Sequence, residues 1–316
     1  MPMHPQVRAH LERLAAANFT GLHTVSPEQA RAGDRRLTAA TVAAPEPIAE
    51  VIDRIADTAA GELPLRIYRP TAAVGPAPVI VFFHGGGFVL GDLDSHDALA
   101  RSVANAAGMV VISVDYPLAP EHKYPSQVDA GLAATTWVAE HAVELGVDAS
   151  RLAVAGDSAG GNLAAVVALK ARDVGAPHIA FQVLIYPDLD FRRENRTITT
   201  LAGRYGNITR EAQFWFRDHY LDDPALRFDP RVSPVLEPDL SGLPPAYIIT
   251  AEYDALREEG EQYGQQLRDA GVDVTVRRYD GMIHEFLRHP FDDAAIAIAE
   301  LAAALRGALG APISLR

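Results

Sequence analysis

The most constraining stretch of this chain is Leu152-Ala-Val-Ala-Gly156-Asp157-Ser158-Ala159-Gly160-Gly161-Asn162-Leu163. An apolar strand-like run leads in and an Ala/Leu/Val-rich helical run leads out, so the backbone must turn sharply between them. Gly156 and Gly160 flank Ser158 and remove the Cβ atoms that such a turn would force together. A G-x-S-x-G alone is a weak signal. In a strand–turn–helix context it sets a serine hydroxyl on a strained, accessible apex, where a nucleophile belongs.

The rest of the chain supplies a sheet for that turn. Further runs occur at Val51–Ile55, Leu65–Tyr68, Val79–Phe83, Val110–Val114, Ile179–Tyr186, Tyr247–Ala251 and Val272–Tyr279. Several are apolar at every position, which suits strands covered on both faces by helices. The first two, joined across Gly61, read as an antiparallel hairpin. Helix-length segments lie near Ser126–His141, Ala159–Arg172, Arg257–Ala270 and Asp292–Leu309. The predicted architecture is α/β, with a mostly parallel sheet of about eight strands.

Residues 1–45 are predicted helical, with Val7, Leu11, Leu14 and Ala15 on one face, and Pro45 and Pro47 mark their end. The core then runs over 46–186 and again over 246–316. Between them, 187–245 interrupts the strand–helix rhythm for far longer than an ordinary connection. It carries the aromatic cluster Phe214-Trp215-Phe216 and Tyr220, and reads as a lid or cap over a pocket.

Composition removes several classes of function. The net charge of −13 argues against nucleic acid or an anionic membrane surface as partner. With no cysteine there is no disulfide framework and no thiolate nucleophile or Cys metal ligand. The N-terminus lacks a secretory apolar core, and no run approaches the ~18–20 residues of a membrane span. A soluble, cytoplasmic protein is expected, with the Asn18, Asn195 and Asn207 sequons as chance matches.

A serine nucleophile needs a base, an acid behind the base, and donors for the oxyanion. Phe82-Phe83-His84-Gly85-Gly86-Gly87-Phe88 follows the third run, and its glycines let backbone amides approach an oxygen unobstructed. No phosphate-loop pattern accompanies them, and His84, His96 and Asp97 lack metal-ligand spacing. His84 is read as a brace for its loop. Of the 11 histidines, His284 is the candidate base, because it lies after the last strand at the carboxyl edge of the sheet. His289 is read as a surface residue. Asp254, ending another strand at that edge, is the candidate acid; Asp280 is a rival on the same loop as His284. Asp157 and Glu252 are read as structural acceptors. A histidine base predicts loss of activity below about pH 6–6.5.

With these motifs assembled, the chain resembles the hormone-sensitive-lipase family of esterases, the bacterial family IV carboxylesterases. The stretches that carry the resemblance are HGGGFVLGDLDSHD (84–97), SVDYPLAPEHKYP (113–125), GDSAGGNLA (156–164), TAEYDALREEG (250–260) and GMIHEF (281–286). The resemblance implies an α/β-hydrolase fold of eight strands with a helical cap built from the N-terminal segment and an insertion after the sixth strand. It implies Ser158 as nucleophile, His284 as base and acid, and Asp254 as its partner. Oxyanion donors would be the amides of Gly86, Gly87 and Ala159, with Gly85 able to replace one of the first two. Phe88, Leu90, Leu189, Phe214 and Trp215 would line a pocket for a short or medium acyl chain. The implied activity is ester hydrolysis on a small-molecule substrate without cofactor or metal. Amidase, deacetylase or acyltransferase chemistry, or a ligand-binding receptor on the same fold, are the alternatives. Pairing through the last strand, Val272–Tyr279, would make a homodimer. Two positions depart from the family pattern: Pro117 stands where an Arg is usual, and Ala255 where a Pro usually follows the acid.

Overall fold

The computed structural model describes residues 2–16, 21–205 and 208–310; the sequons at Asn18 and Asn207 fall outside them. The strands are β1 (Glu50–Thr58), β2 (Gly61–Arg69), β3 (Ala77–Phe83), β4 (Val110–Val114), β5 (Val147–Asp157), β6 (Phe181–Ile185), β7 (Ala246–Tyr253) and β8 (Val274–Ile283). They form one sheet in the order β1-β2-β4-β3-β5-β6-β7-β8. β1 and β2 form the expected hairpin, β2 pairs antiparallel with β4, and all remaining pairs are parallel.

The helices are α1 (Pro5–Ala16), α2 (Pro27–Thr41), α3 (Asp97–Ala107), α4 (Ser126–Glu140), α5 (Ala142–Leu145), α6 (Ala159–Val174), α7 (Arg196–Leu201), α8 (Arg210–Tyr220), α9 (Arg257–Asp269) and α10 (Asp292–Leu309). Continuous apolarity in β3 has the cause read from the sequence: Val79, Val81 and Phe83 belong to one core cluster, Ile80 and Phe82 to another. The first cluster takes in Leu163 of α6 and Val128 of α4; the second takes in Leu99 of α3 and Leu305 of α10. Side chains alternate across a strand, so helices on both faces require apolar residues at every position.

Three expectations need correction. α3 was not among the predicted helices. Its ends are nonetheless marked, by Asp97 in the first turn and by Gly108 as a left-handed C-cap at φ 69°. β8 begins two residues later than Val272 and runs on to Ile283, so its end lies next to His284. In α1 the buried positions are Val7 and His10, whereas Ala15 is exposed.

The strand order also places the site. From β3 the chain crosses to β4 on one side and later returns to β5 on the other, so the loops after β3 and β5 open a crevice between them. Phe83 and Gly156 are paired across these strands, which brings the triple glycine beside Ser158. The approach is so close that a Cβ at Gly160 would lie 2.0 Å from the Phe83 carbonyl oxygen. We therefore expect Gly160→Ala to lose at least the ~1–3 kcal/mol typical of overpacking in urea unfolding. Gly307→Ala, in the interior of α10 with open space around it, should be neutral or gain up to ~1 kcal/mol. Equal stability of the two variants would contradict this packing.

Candidate active site

Ser158 stands between β5 and α6 with φ 55° and ψ −119°, a conformation that a non-glycine residue adopts only under constraint. The constraint comes from β6 and its outgoing chain: the Ser158 amide donates to the Ile185 carbonyl at 2.9 Å, and the Asp188 amide donates to the Ser158 carbonyl at 3.1 Å. The hydroxyl so presented meets Nε2 of His284 at 2.9 Å. Nδ1 of His284 meets Asp254 Oδ2 at 2.7 Å, and Asp254 Oδ1 accepts the Leu256 amide at 2.9 Å. Three side chains from distant parts of the sequence thus form one hydrogen-bonded row, each at most 8% exposed.

Asp280 is not part of it; its carboxylate pairs with Arg278 at 2.7 Å. Glu252 accepts the Gly281 amide at 2.8 Å, the structural role read for it. Burial acts to lower the pKa of His284, but the Asp254 carboxylate in contact, with Glu285 and Asp157 nearby, raises it to about 9.

The glycine loop is organised from beneath. The Gly85 amide donates to Asp157 Oδ1 at 2.9 Å and so is already engaged. This distinguishes among three glycines that look alike in sequence. The amides of Gly86, Gly87 and Ala159 have no hydrogen-bond partner among the described residues. Gly86 holds φ 118°, and a Cβ there would lie 2.3 Å from the Leu90 carbonyl oxygen, so only glycine fits. Asp157, fully buried, also meets His96 Nε2 at 3.3 Å, and His96 Nδ1 meets the Ser95 hydroxyl at 3.0 Å. His96 showed no partner pattern in the sequence because these partners come from β5 and from the adjacent residue. His84 does brace the loop: burial, then His96, lowers its pKa to about 4, and the neutral ring donates from Nδ1 to the Gly85 carbonyl at 2.8 Å while stacking on Tyr116.

The residues read as a pocket lining take up different places in the structure. Leu90 and Leu189 are buried in the core cluster beside the loop. Phe88 is fully buried, stacked on Tyr220 at 4.1 Å between ring centroids. Trp215 is half-buried against Phe216. Phe214 lies elsewhere: its ring sits beside the guanidinium groups of Arg210 and Arg217 at 5.5 and 4.7 Å. Phe216, two residues on and roughly 200° around α8, is the ring that covers the glycines, with Cδ1 2.3 Å from where a Gly87 Cβ would be. The sequence offered three adjacent aromatics and no means of choosing among them. His289 is not a surface residue. Its Nδ1 meets the Thr41 carbonyl at 3.1 Å and its ring packs on His10. Ala255, where the family has Pro, is buried, and its carbonyl accepts the Thr197 hydroxyl at 2.7 Å, so the turn is held from α7. Beside Pro117 the Asp115 carboxyl is pushed up to about 6 by burial and by the acids Asp92 and Asp94. Among the described residues no group of three or more His, Asp or Glu is arranged to hold a metal ion.

A serine, an imidazole and a carboxylate aligned at the carboxyl edge of such a sheet, on this strand order, define the α/β-hydrolase class. The family described as alpha/beta hydrolase fold matches residues 80–288. The chain is 47% identical over 237 residues to the carboxylic ester hydrolase LipN of Mycobacterium tuberculosis, a match covering 72% of this chain and 62% of that protein's length. It is 37% identical to an ethyl acetate hydrolase of Pseudomonas putida, covering 91% of this chain and 93% of the relative. Among solved structures, the hyperthermophilic esterase from the archaeon Pyrobaculum calidifontis superposes with a TM-score of 0.92 at 39% identity, covering 97% of this chain and 99% of that one. The chain belongs to the α/β-hydrolase fold family, in the hormone-sensitive-lipase group that its motifs resemble.

The raised His284 pKa revises the expected pH dependence. Only neutral imidazole accepts the serine proton, so the active form appears as pH rises through the folded-state pKa. The acid limb of kcat/KM should therefore lie above the ordinary 6.5, toward 9, rather than at 6–6.5. In Asp254→Asn the limb should move down while kcat falls about 10⁴-fold. A wild-type limb at or below 6.5 would contradict this electrostatic picture.

Proposed function

We propose that this protein is a serine carboxylesterase acting through an acyl-enzyme on esters of short to medium acyl chain. The observation that carries the reading is the Ser158–His284 contact at 2.9 Å, backed by Asp254 at 2.7 Å, with the amides of Gly86, Gly87 and Ala159 lacking a partner among the described residues. Ser158 Oγ attacks the ester carbonyl carbon as His284 Nε2 takes its proton. The oxyanion that forms accepts hydrogen bonds from Gly86, Gly87 and Ala159, the last at the positive end of α6. As the intermediate collapses, His284 returns the proton to the departing alkoxide, and the acyl group stays on Ser158. Water then attacks the acyl carbon, giving its proton to His284. The acid leaves and Ser158 recovers its hydrogen.

Throughout, Asp254 holds the imidazole with Nε2 toward serine and balances the imidazolium. The intact row speaks for catalysis over a receptor role. The bulk of Phe216 above the glycine loop supports a limited acyl length. α1, α2 and residues 187–245 form the cap in this reading, supported by α8 seating Phe216 on the glycine loop and by α2, whose Arg31 donates to the Val89 and Ala119 carbonyls at 2.8 and 2.7 Å. A cytoplasmic location is part of the proposal, consistent with the lack of cysteine.

The assay is hydrolysis of p-nitrophenyl esters from acetate to laurate. Butyrate-range esters should give the highest kcat/KM, and Ser158→Ala should lower kcat by roughly 10⁵–10⁶. Near-normal turnover by that variant would reject the assignment. The reading extends to a homodimer, because among the described residues β8 pairs with no strand other than β7, and the His4 amide that donates to the Gly281 carbonyl meets only its last residues. Sedimentation should show about twice the 34.0 kDa chain mass, and a single monomer species would overturn the dimer alone.

A further inference from the structure

Glu285, directly after His284, is a non-glycine residue in the left-handed region, at φ 62° and ψ 13°. Such strain persists only where the surroundings impose it. The side chain on this turn is held in an ion pair: Arg288 donates to Glu285 Oε1 at 2.8 Å. Arg288 is 6% exposed, so its charge needs that partner. The Glu285 side chain is 34% exposed; its partial burial opposes ionisation, but Arg288 and His284 hold its carboxyl below the ordinary range.

Arg288 reaches in two further directions. One guanidinium nitrogen donates to the Thr38 hydroxyl of α2 at 3.2 Å and to the Ser95 carbonyl at 3.3 Å. Its own carbonyl accepts the Ala43 amide at 3.0 Å, just beyond α2. Ser95 leads through His96 and Asp157 to the Gly85 amide. One side chain therefore touches the turn of the base, the N-terminal segment and the support of the glycine loop. Glu285, Arg288 and His284 line a common cavity of about 50 Å³ together with Thr38, Asp34 and Tyr205.

We propose that Glu285 and Arg288 are positioning residues for the reaction, their ion pair locking the His284 turn to both the N-terminal helix and the oxyanion loop. This rests on the esterase reading, with His284 as base. Because Glu285 is charged and shares the cavity of the imidazole, it also favours the imidazolium. The other charged or titratable groups facing His284 are Asp254 after β7, Asp157 at the end of β5, Tyr186 after β6, Asp34 on α2, and His10 of α1 with His289 beside it. Asp254 is in contact and fixes the ring; Glu285, the next residue in the chain, acts on it more strongly than Asp157 does, and removing it favours neutral imidazole.

The test is the pH profile of p-nitrophenyl butyrate hydrolysis by Glu285→Gln, Glu285→Gly, Arg288→Lys and Arg288→Met. Glycine takes the left-handed conformation freely, so Glu285→Gly removes the charge without retaining strain. Both Glu285 variants should shift the acid limb down by about one unit. Arg288→Met should lose at least about tenfold in kcat with little change in KM, since a small misplacement of the base suffices for that, and Arg288→Lys should recover most of it. The double variant Glu285→Gly/Arg288→Met leaves no unpaired charge; it should fold, keep the lowered limb and keep the kcat loss. The inference is overturned if both Glu285 variants keep the wild-type limb, or if Arg288→Met loses melting temperature but not kcat. An active Ser158→Ala would instead overturn the esterase reading itself.

Discussion

A carboxylate with no exposure to water, Asp157, accepts the Gly85 amide at 2.9 Å, and that bond joins the two halves of the site. A buried anion must be hydrogen-bonded or paired, and Asp157 has one partner from each side: the amide that starts the glycine loop and the ring of His96. Burial disfavours its charge, but His96 in contact holds its carboxyl below the ordinary range. The loop that follows β3 is thereby registered against the residue that precedes Ser158. Turning the Gly85 amide inward takes it out of the free donors of the loop, while the amides of Gly86 and Gly87 keep no hydrogen-bond partner among the described residues.

A second buried network registers the insertion against the same turn. Asn162 of α6 donates to the carbonyls of Asp188 and Val232 at 2.7 and 2.9 Å, one at the start of the insertion and one in its last third. Arg193, fully buried, pairs with Asp188 through two hydrogen bonds and lies over the Phe191 ring at 4.3 Å. Glu259 of α9 accepts the Leu189 amide at 2.7 Å and the Asn195 side chain at 2.8 Å. Burial and the nearby Asp188 push the Glu259 carboxyl well up, so it meets those partners in a largely desolvated setting. The insertion is thus anchored by polar contacts to both α6 and α9, with Phe216 brought over the glycine loop as a consequence.

The local signals were legible because each rests on short-range sterics or periodicity. The elbow needs glycine on both sides of Ser158, continuous apolar runs need two covered faces, and the hairpin needs a turn at Gly61. His284 and Asp254 could be chosen from many candidates because both follow strands, at the edge where such sheets place their sites. α3 carries only a weak local signal, the left-handed Gly108 at its end. The aromatic triplet 214–216 was ambiguous, since adjacent helical residues face different ways and the orientation of α8 is not a local property.

What the chain determined by itself was therefore the architecture, the membership of the Ser158–His284–Asp254 row and the glycine loop beside it; those depend on residue type and spacing, which neighbours in sequence supply. The fold alone decided which glycine amide turns inward, which aromatic covers the loop, how far the base's pKa rises, and that Arg288 binds three segments together. Each of those is set by a partner tens or hundreds of residues away. No local pattern encodes the distance or direction of such a partner, and only packing of the whole chain brings the two together.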